Sequence, residues 1–391
     1  MNSNEIIQRD KEYVANTYGR FPIALTRGKG ARCWDADGKE YIDFSSGIGV
    51  NSLGFSDPDW AAAVFAQLIT LQHTSNLYYT EPGGLLAKTL CERSGMKKVF
   101  FANSGAESNE GAIKCARKYG HINRGADCDT IITLEQSFHG RTLAALSATG
   151  QHAFHTQFEP FPTGFKYAPP NDLDALNAMV DNNICAIMIE IVQGEGGVLT
   201  LDRAYIEGVA RLCAERDVLL IVDEVQTGVG RTGTLFAYQQ FGVLPDIVTC
   251  AKGLCGGLPI GAVLFGEKTA DTFAPGDHAT TFGANPAVCS GALHVLSRLN
   301  DEYLPRVRKL GERVRAQISA MPHVTGVSGL GLMIGATLDG ITSREVVNAG
   351  IENGVIALTA KDRLRLLPPL NITDAELDEG LHRLEHALRS V

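Results

Sequence analysis

Between residues 98 and 266, short apolar runs alternate with amphipathic stretches, and few architectures can absorb that order. The runs "KVFFA", "TIITL", "CAIMIEIV", "VLLIVDE", "DIVTCA" and "GAVLFG" are rich in β-branched residues and apolar on consecutive positions. A strand of that kind is covered on both faces. The segments "AESNEGAIKCARKYG", "RTLAALSATG" and "AYIEGVARLCAERD" between them carry apolar residues at helical spacing. Strands and helices in this alternation predict an α/β fold with a mainly parallel sheet between helical layers.

The two ends follow another pattern. "ARCWDADGKEYIDF" predicts two strands around an Asp-Ala-Asp-Gly turn. After Pro286 come long helical stretches, then "VTGVSGLGLMIGATL" and "RLRLLPPL" as strands, and a closing helix from about Thr373. These patterns predict a large domain over residues 50–285 and a smaller α+β domain built from 1–49 and 286–391. A chain of 391 residues buries a large core without disulfides.

Composition removes several function classes. A formal net charge of -9, with no basic run, leaves no footprint for nucleic acid or anionic lipid. The nine cysteines are odd in number and form no CxxC pair, which fits reduced thiols and neither a disulfide frame nor a zinc site. No apolar run reaches the ~18 residues of a membrane span, and "MNSNEIIQRDKEYV" has no signal-peptide pattern, so a cytoplasmic protein is expected. His382 and His386 are four apart on the closing helix, a solvated face with no metal.

The chemistry gathers around "TCAKGLCGG". Lys252 follows a buried strand and precedes uncovered glycine loop, so its charge is disfavoured there unless the side chain snorkels away. "NSGAESNE" joins a strand to a helix, and its free N–H groups with Ser104 could take a phosphate, or Ser104 and Glu107 could simply cap the helix. Asp223 and Glu224 end an apolar strand, where a carboxylate needs a positive partner. Magnesium is a weak candidate, because no Walker-type glycine loop is present. In "QSFHGRT", Phe138 offers a stacking face and Arg141 a fork for a carboxylate. "HATTFGANP" adds two hydroxyls before a glycine turn.

One hypothesis unites these features: pyridoxal 5'-phosphate in Schiff-base linkage to Lys252. Asp223 would keep the pyridine nitrogen protonated, Ser104 to Ala106 would hold the phosphate, and Phe138 would stack on the ring.

The chain resembles the class III, fold type I aminotransferases, nearest to the acetylornithine branch, through "WDADGKEYIDF", "HTSNLYYTEP", "NSGAESNE", "FHGRT", "IVQGEGG", "DEVQTGVGRTG", "AKGLCGGLPIGA", "TTFGANP" and "LRLLPPL". The resemblance implies a seven-stranded, mainly parallel sheet and a homodimer with shared active sites, Thr281 reaching the partner subunit's cofactor phosphate. It also implies that Gly105 and Ala106 hold phosphate through their backbone, that Val225 and Gln226 contact the ring, and that Arg141, Glu195, Thr280 and Arg365 recognise substrate. The sequence departs from the family pattern at Ile191, Cys255 and Ala284, where proline, glycine and glycine are usual.

The implied reaction moves the terminal amino group of N-acetyl-L-ornithine to 2-oxoglutarate, in arginine biosynthesis. Succinylornithine, succinyl-diaminopimelate, ornithine and 4-aminobutyrate are alternative donors. The small Gly47, where ornithine enzymes are expected to carry a tyrosine, leaves room for an acylated amine. An aminomutase and a non-catalytic binding protein are the rivals from other classes.

Overall fold

The computed structural model describes residues 1–391. Its centre is a sheet of seven strands: β1 (Lys98–Ala102), β2 (Thr130–Leu134), β3 (Phe165–Ala168), β4 (Ile184–Ile189), β5 (Leu219–Asp223), β6 (Ile247–Cys250) and β7 (Gly261–Phe265). They lie in the order β1-β7-β6-β5-β4-β2-β3. All neighbours run parallel except β7, which is antiparallel to both β6 and β1. Every residue of β4 to β7 is buried, which is why these strands read as continuous apolar runs.

Successive residues of one strand feed opposite layers. Ile221 packs with Ile131, Met188 and Val263 beneath the helix Gly105–Arg124, whereas Leu220 and Val222 pack with Ile187, Val209 and Leu212 on the side of the helix Arg203–Arg216. Each such aliphatic side chain contributes roughly 1.5–3 kcal/mol by leaving water. Six of the seven strands coincide with the runs read from the sequence. β3 does not, because "FKYA" is an edge strand whose first three side chains are half-buried and whose Lys166 reaches out to Asp181.

The ends pair with each other. Strands Leu25–Lys29, Arg32–Asp35 and Glu40–Asp43 form an antiparallel ribbon, to which Val355–Ile356 adds in parallel. The expected turn is held by Asp35, whose carboxylate accepts from the backbone of Asp37 and Lys39 and from the Tyr41 hydroxyl. A further four-stranded sheet contains Val324–Leu330, Met333–Leu338, Leu358–Ala360 and Arg363–Leu366. The last helix, Asp374–Arg389, begins at a capping box of Thr373 and Glu376. No helix is long and apolar enough to cross a membrane.

Arg231 ties the loop after β5 to the C-terminal sheet. Its buried guanidinium donates to the carbonyls of Leu332 and Pro368. Close backbone approach seals the same junction: a Cβ on Gly311, in the helix Tyr303–Ser319, would collide with the carbonyl of Gly331. Gly311→Ala is therefore expected to destabilise the protein by about 1–3 kcal/mol, despite alanine's better helix propensity. Denaturant unfolding of the variant beside the parent checks this.

Candidate active site

The parallel strands bring their C-terminal ends to one edge, and a cavity of about 440 Å³ opens there. Ser104, Gly105, Ala106, Phe138, Arg141, Asp223, Val225, Gln226 and Lys252 all line it, so the structure brings nine of the thirteen expected site residues together.

Asp223 ends β5 with its carboxylate almost wholly buried. Oδ2 lies 2.8 Å from His139 Nδ1 and accepts from Asn109 Nδ2 at 2.8 Å, while Oδ1 accepts from the Val225 amide. Asn109 is in turn fixed by Thr249 Oγ1 of β6 at 2.7 Å. Burial would lower the His139 imidazole, but the hydrogen bond and charge of Asp223, with the charge of Glu190, together outweigh it and hold the group above its ordinary range. Glu224, the next residue, faces away from the cavity into the core, where it accepts from the Tyr238 amide and Thr227 Oγ1. Burial pushes its carboxyl up to about 7.

Lys252 follows β6 at a left-handed φ of 42°, a strained backbone for a non-glycine residue. Its amine makes no hydrogen bond or ion pair, and burial lowers its pKa, only partly offset by the negative charge of Glu195. The opening at Ser104 combines both sequence alternatives. Its hydroxyl caps the helix by accepting from the Glu107 amide, while the N–H groups of Gly105 and Ala106 remain unpaired in the first turn of residues that line the cavity. Gly105 is required there: a Cβ would sit 2.6 Å from Val225 Cγ1.

Glu195 and Arg365 stand behind Gln226 and outside the cavity wall. Arg365 Nη1 lies 2.5 Å from Glu195 Oε1 and donates to Gln226 Oε1 at 3.3 Å. Burial alone would raise the Glu195 carboxyl, yet the guanidinium holds it below its usual range. Arg141 is exposed at the mouth with no carboxylate partner. Thr280 and Thr281 do not line the cavity. Thr280 Oγ1 accepts from Asn103 Nδ2 at 2.9 Å, and Thr281 is exposed beside it.

The departures fall in tight places. Ile191 is buried among Val192 and Val198, Cys255 Sγ lies 3.2 Å from the Val288 carbonyl, and Ala284 sits at φ 58°, a left-handed conformation in which glycine is unstrained. Four further polar lining residues, Asn103, Asn109, His139 and Glu190, had no role assigned from sequence. Glu190 carries the same signal as Asp223, a carboxylate at the end of an apolar strand run. It accepts from the Phe138 and Gly194 amides, and burial raises its pKa.

Glu224 gives a pH test. Its folded pKa lies above the unfolded one, so folding favours the protonated form. The resulting penalty is absent below about pH 4.5, grows as pH rises, and is complete above about pH 7. Glu224→Gln keeps a carbonyl for Tyr238 and an amide donor for Thr227. Its stability relative to the parent is expected to improve by about 1–3 kcal/mol between pH 5 and 7.5, read by unfolding at each pH.

The class-III aminotransferase family model matches residues 13–388. The chain is 55% identical to the acetylornithine aminotransferase of Haemophilus ducreyi, over 99% of each chain, and 47% identical to that of Methanothermobacter thermautotrophicus, again over 99% of each. Among solved structures, the ornithine aminotransferase of Toxoplasma gondii superposes with a TM-score of 0.96 at 33% identity, covering 100% of this chain and 96% of that one. The N-acetylornithine aminotransferase of Stenotrophomonas maltophilia gives 0.85 at 38%, covering 98% of each.

Proposed function

Because the chain belongs to the class-III aminotransferases, whose cofactor is pyridoxal 5'-phosphate, we propose that it transfers the terminal amino group of N-acetylornithine to 2-oxoglutarate, in arginine biosynthesis. The products are N-acetylglutamate 5-semialdehyde and glutamate. The observation that carries this reading is the unequal pair of guanidiniums, Arg141 free and Arg365 masked by Glu195.

The lining residues fit the cofactor. Free amides at a helix N-terminus suit a phosphate, a fixed carboxylate at the end of β5 suits a pyridinium nitrogen, and an amine with lowered pKa suits covalent attachment. When bound, the cofactor supplies a carbon that accepts the amino group and a ring that delocalises the charge left on the substrate. Gly105 and Ala106 would hold the phosphate through their amides, Phe138 and Val225 would contact the ring, and Gln226 would bind its hydroxyl. Lys252 Nζ would carry the proton to and from the reacting carbon.

The substrates differ where the guanidiniums differ. N-acetylornithine reacts at a carbon without a carboxylate, glutamate at one that bears it. Arg141 serves the distant carboxylate of both, since the spans differ by a single carbon. Arg365 meets a carboxylate only in the second half-reaction, and Glu195 neutralises it during the first. Overall shape is common to ornithine and N-acetylornithine enzymes, so the choice of donor rests on sequence likeness and on the small Gly47.

The working unit is proposed as a cytoplasmic homodimer, its chains each divided into a large domain at 50–285 and a smaller one from the remainder. The exposed side chains of Phe65, Ile69, Leu77, Tyr78, Tyr79 and Phe282 support a partner surface. Thr281 then reaches the phosphate of the partner's cofactor, and Thr280 the substrate.

The deciding experiment offers N-acetylornithine, ornithine, succinyl-diaminopimelate and 4-aminobutyrate with 2-oxoglutarate; the highest kcat/KM is expected for N-acetylornithine. In single half-reactions followed by cofactor absorbance, Glu195→Ala is expected to slow the N-acetylornithine half about tenfold or more and spare the glutamate half, with the reverse for Arg365→Ala. Thr281→Ala is expected to weaken cofactor binding by about 1–2 kcal/mol, and dilution that splits the dimer to release it.

A further inference from the structure

Arg141 is the only guanidinium in the cavity wall, and neither a hydrogen bond nor a carboxylate holds it. Its contacts are aromatic. The guanidinium carbon lies 4.1 Å from the ring centre of Phe154 and 5.4 Å from that of Phe138. The two rings meet edge to face, 6.0 Å apart at 84°. Phe138 lines the cavity; Phe154 does not.

Phe154 ends a short turn, His152–Phe154, that is anchored on both sides. Before it, the buried Gln151 donates from Nε2 to the Ser137 carbonyl at 3.0 Å. After it, His155 Nε2 lies 2.9 Å from the carbonyls of both Leu146 and Thr149. Tyr167 of β3 donates to the Ser147 carbonyl at the end of the helix Leu143–Ala148. A half-buried phenylalanine on so well-tied a turn is a fixed surface.

We propose that Phe154 is a positioning residue that holds the Arg141 guanidinium in the orientation that receives the substrate's distant carboxylate. A guanidinium seated over a ring face spends none of its N–H donors on a hydrogen-bond acceptor, and those donors make the two-pronged contact with a carboxylate. An arginine without this support samples many rotamers and must give them up on binding. The inference rests on the reading of Arg141 given above. It adds that amino donor and acceptor draw equally on one ring that touches neither of them.

The test uses the holoenzyme in single half-reactions with N-acetylornithine, with glutamate, and with 1,4-diaminobutane, an amine that carries no carboxylate. Phe154→Leu is expected to raise the half-saturating concentration of the first two by a common factor, about five- to tenfold. Limiting rates and cofactor absorbance should stay near the parent's, and kcat/KM for 1,4-diaminobutane should not change. Phe154→Tyr, which keeps the ring, should restore saturation. An unchanged half-saturation, a loss shared by 1,4-diaminobutane, a loss for only one carboxylate substrate, or failure of tyrosine to restore it would each overturn the proposal. If the parent does not react with N-acetylornithine, the proposed substrate falls, while glutamate against 1,4-diaminobutane still decides the role of Phe154.

Discussion

The site is organised around one carboxylate that cannot move. Asp223 receives donors from a helix, from the loop after β2 and from its own following turn, and Thr249 of β6 locks the asparagine among them. A buried carboxylate left unpaired would cost several kcal/mol, so the fold must bring these elements together before it can tolerate Asp223 at all. Parallel strands make that meeting possible, because their C-terminal ends share an edge. The same edge places Lys252, one strand over, where its charge is disfavoured and no partner restores it. A fixed anion and an amine of lowered basicity are the complementary ends of a site for a cofactor with a basic ring and an electrophilic carbon.

Much of this was legible because chemistry-bearing residues interrupt apolar runs. Asp223 closes "LLIVD" and Lys252 follows "IVTCA", and a charged residue at such a place is conspicuous whatever the fold. The strands were legible for the converse reason, since two-sided burial leaves continuous apolar runs. The edge strand β3 was not, since exposure on its outer side mixes its composition. The partners of Asp223 were also hidden. Asn109 and His139 lie 114 and 84 residues away from it, and no local spacing records such a meeting. Glu190 was within reach of the reasoning that found Asp223, and the pairing of Phe154 with Arg141 was not, because a phenylalanine in a polar loop has no local mark of purpose.

The adjacent acids of "DE" show how one rule yields two outcomes. Side chains of successive residues at a strand end point to opposite sides, so one faces the cavity and the other the core. Asp223 keeps three donors and stays with the site. Glu224 meets a backbone amide and a hydroxyl and becomes a weak acid of the interior. Composition alone treats them as equivalent; the pleat separates them.

The two arginines follow from a similar contrast in burial. Arg365 is 3% exposed and its guanidinium is paired with Glu195; on the proposed reading a substrate carboxylate takes that place in the second half-reaction. Arg141 is exposed at the mouth, where water satisfies its donors and an aromatic face suffices to aim it. Only the exposed one can wait unpaired for a carboxylate in either half of the proposed reaction at no electrostatic cost. Under the same reading the buried one needs a carboxylate that can be exchanged, and Glu195 is the more exposed member of the pair, at 28%. On the proposed reading, discrimination between the two substrates therefore reduces to where each guanidinium sits relative to water.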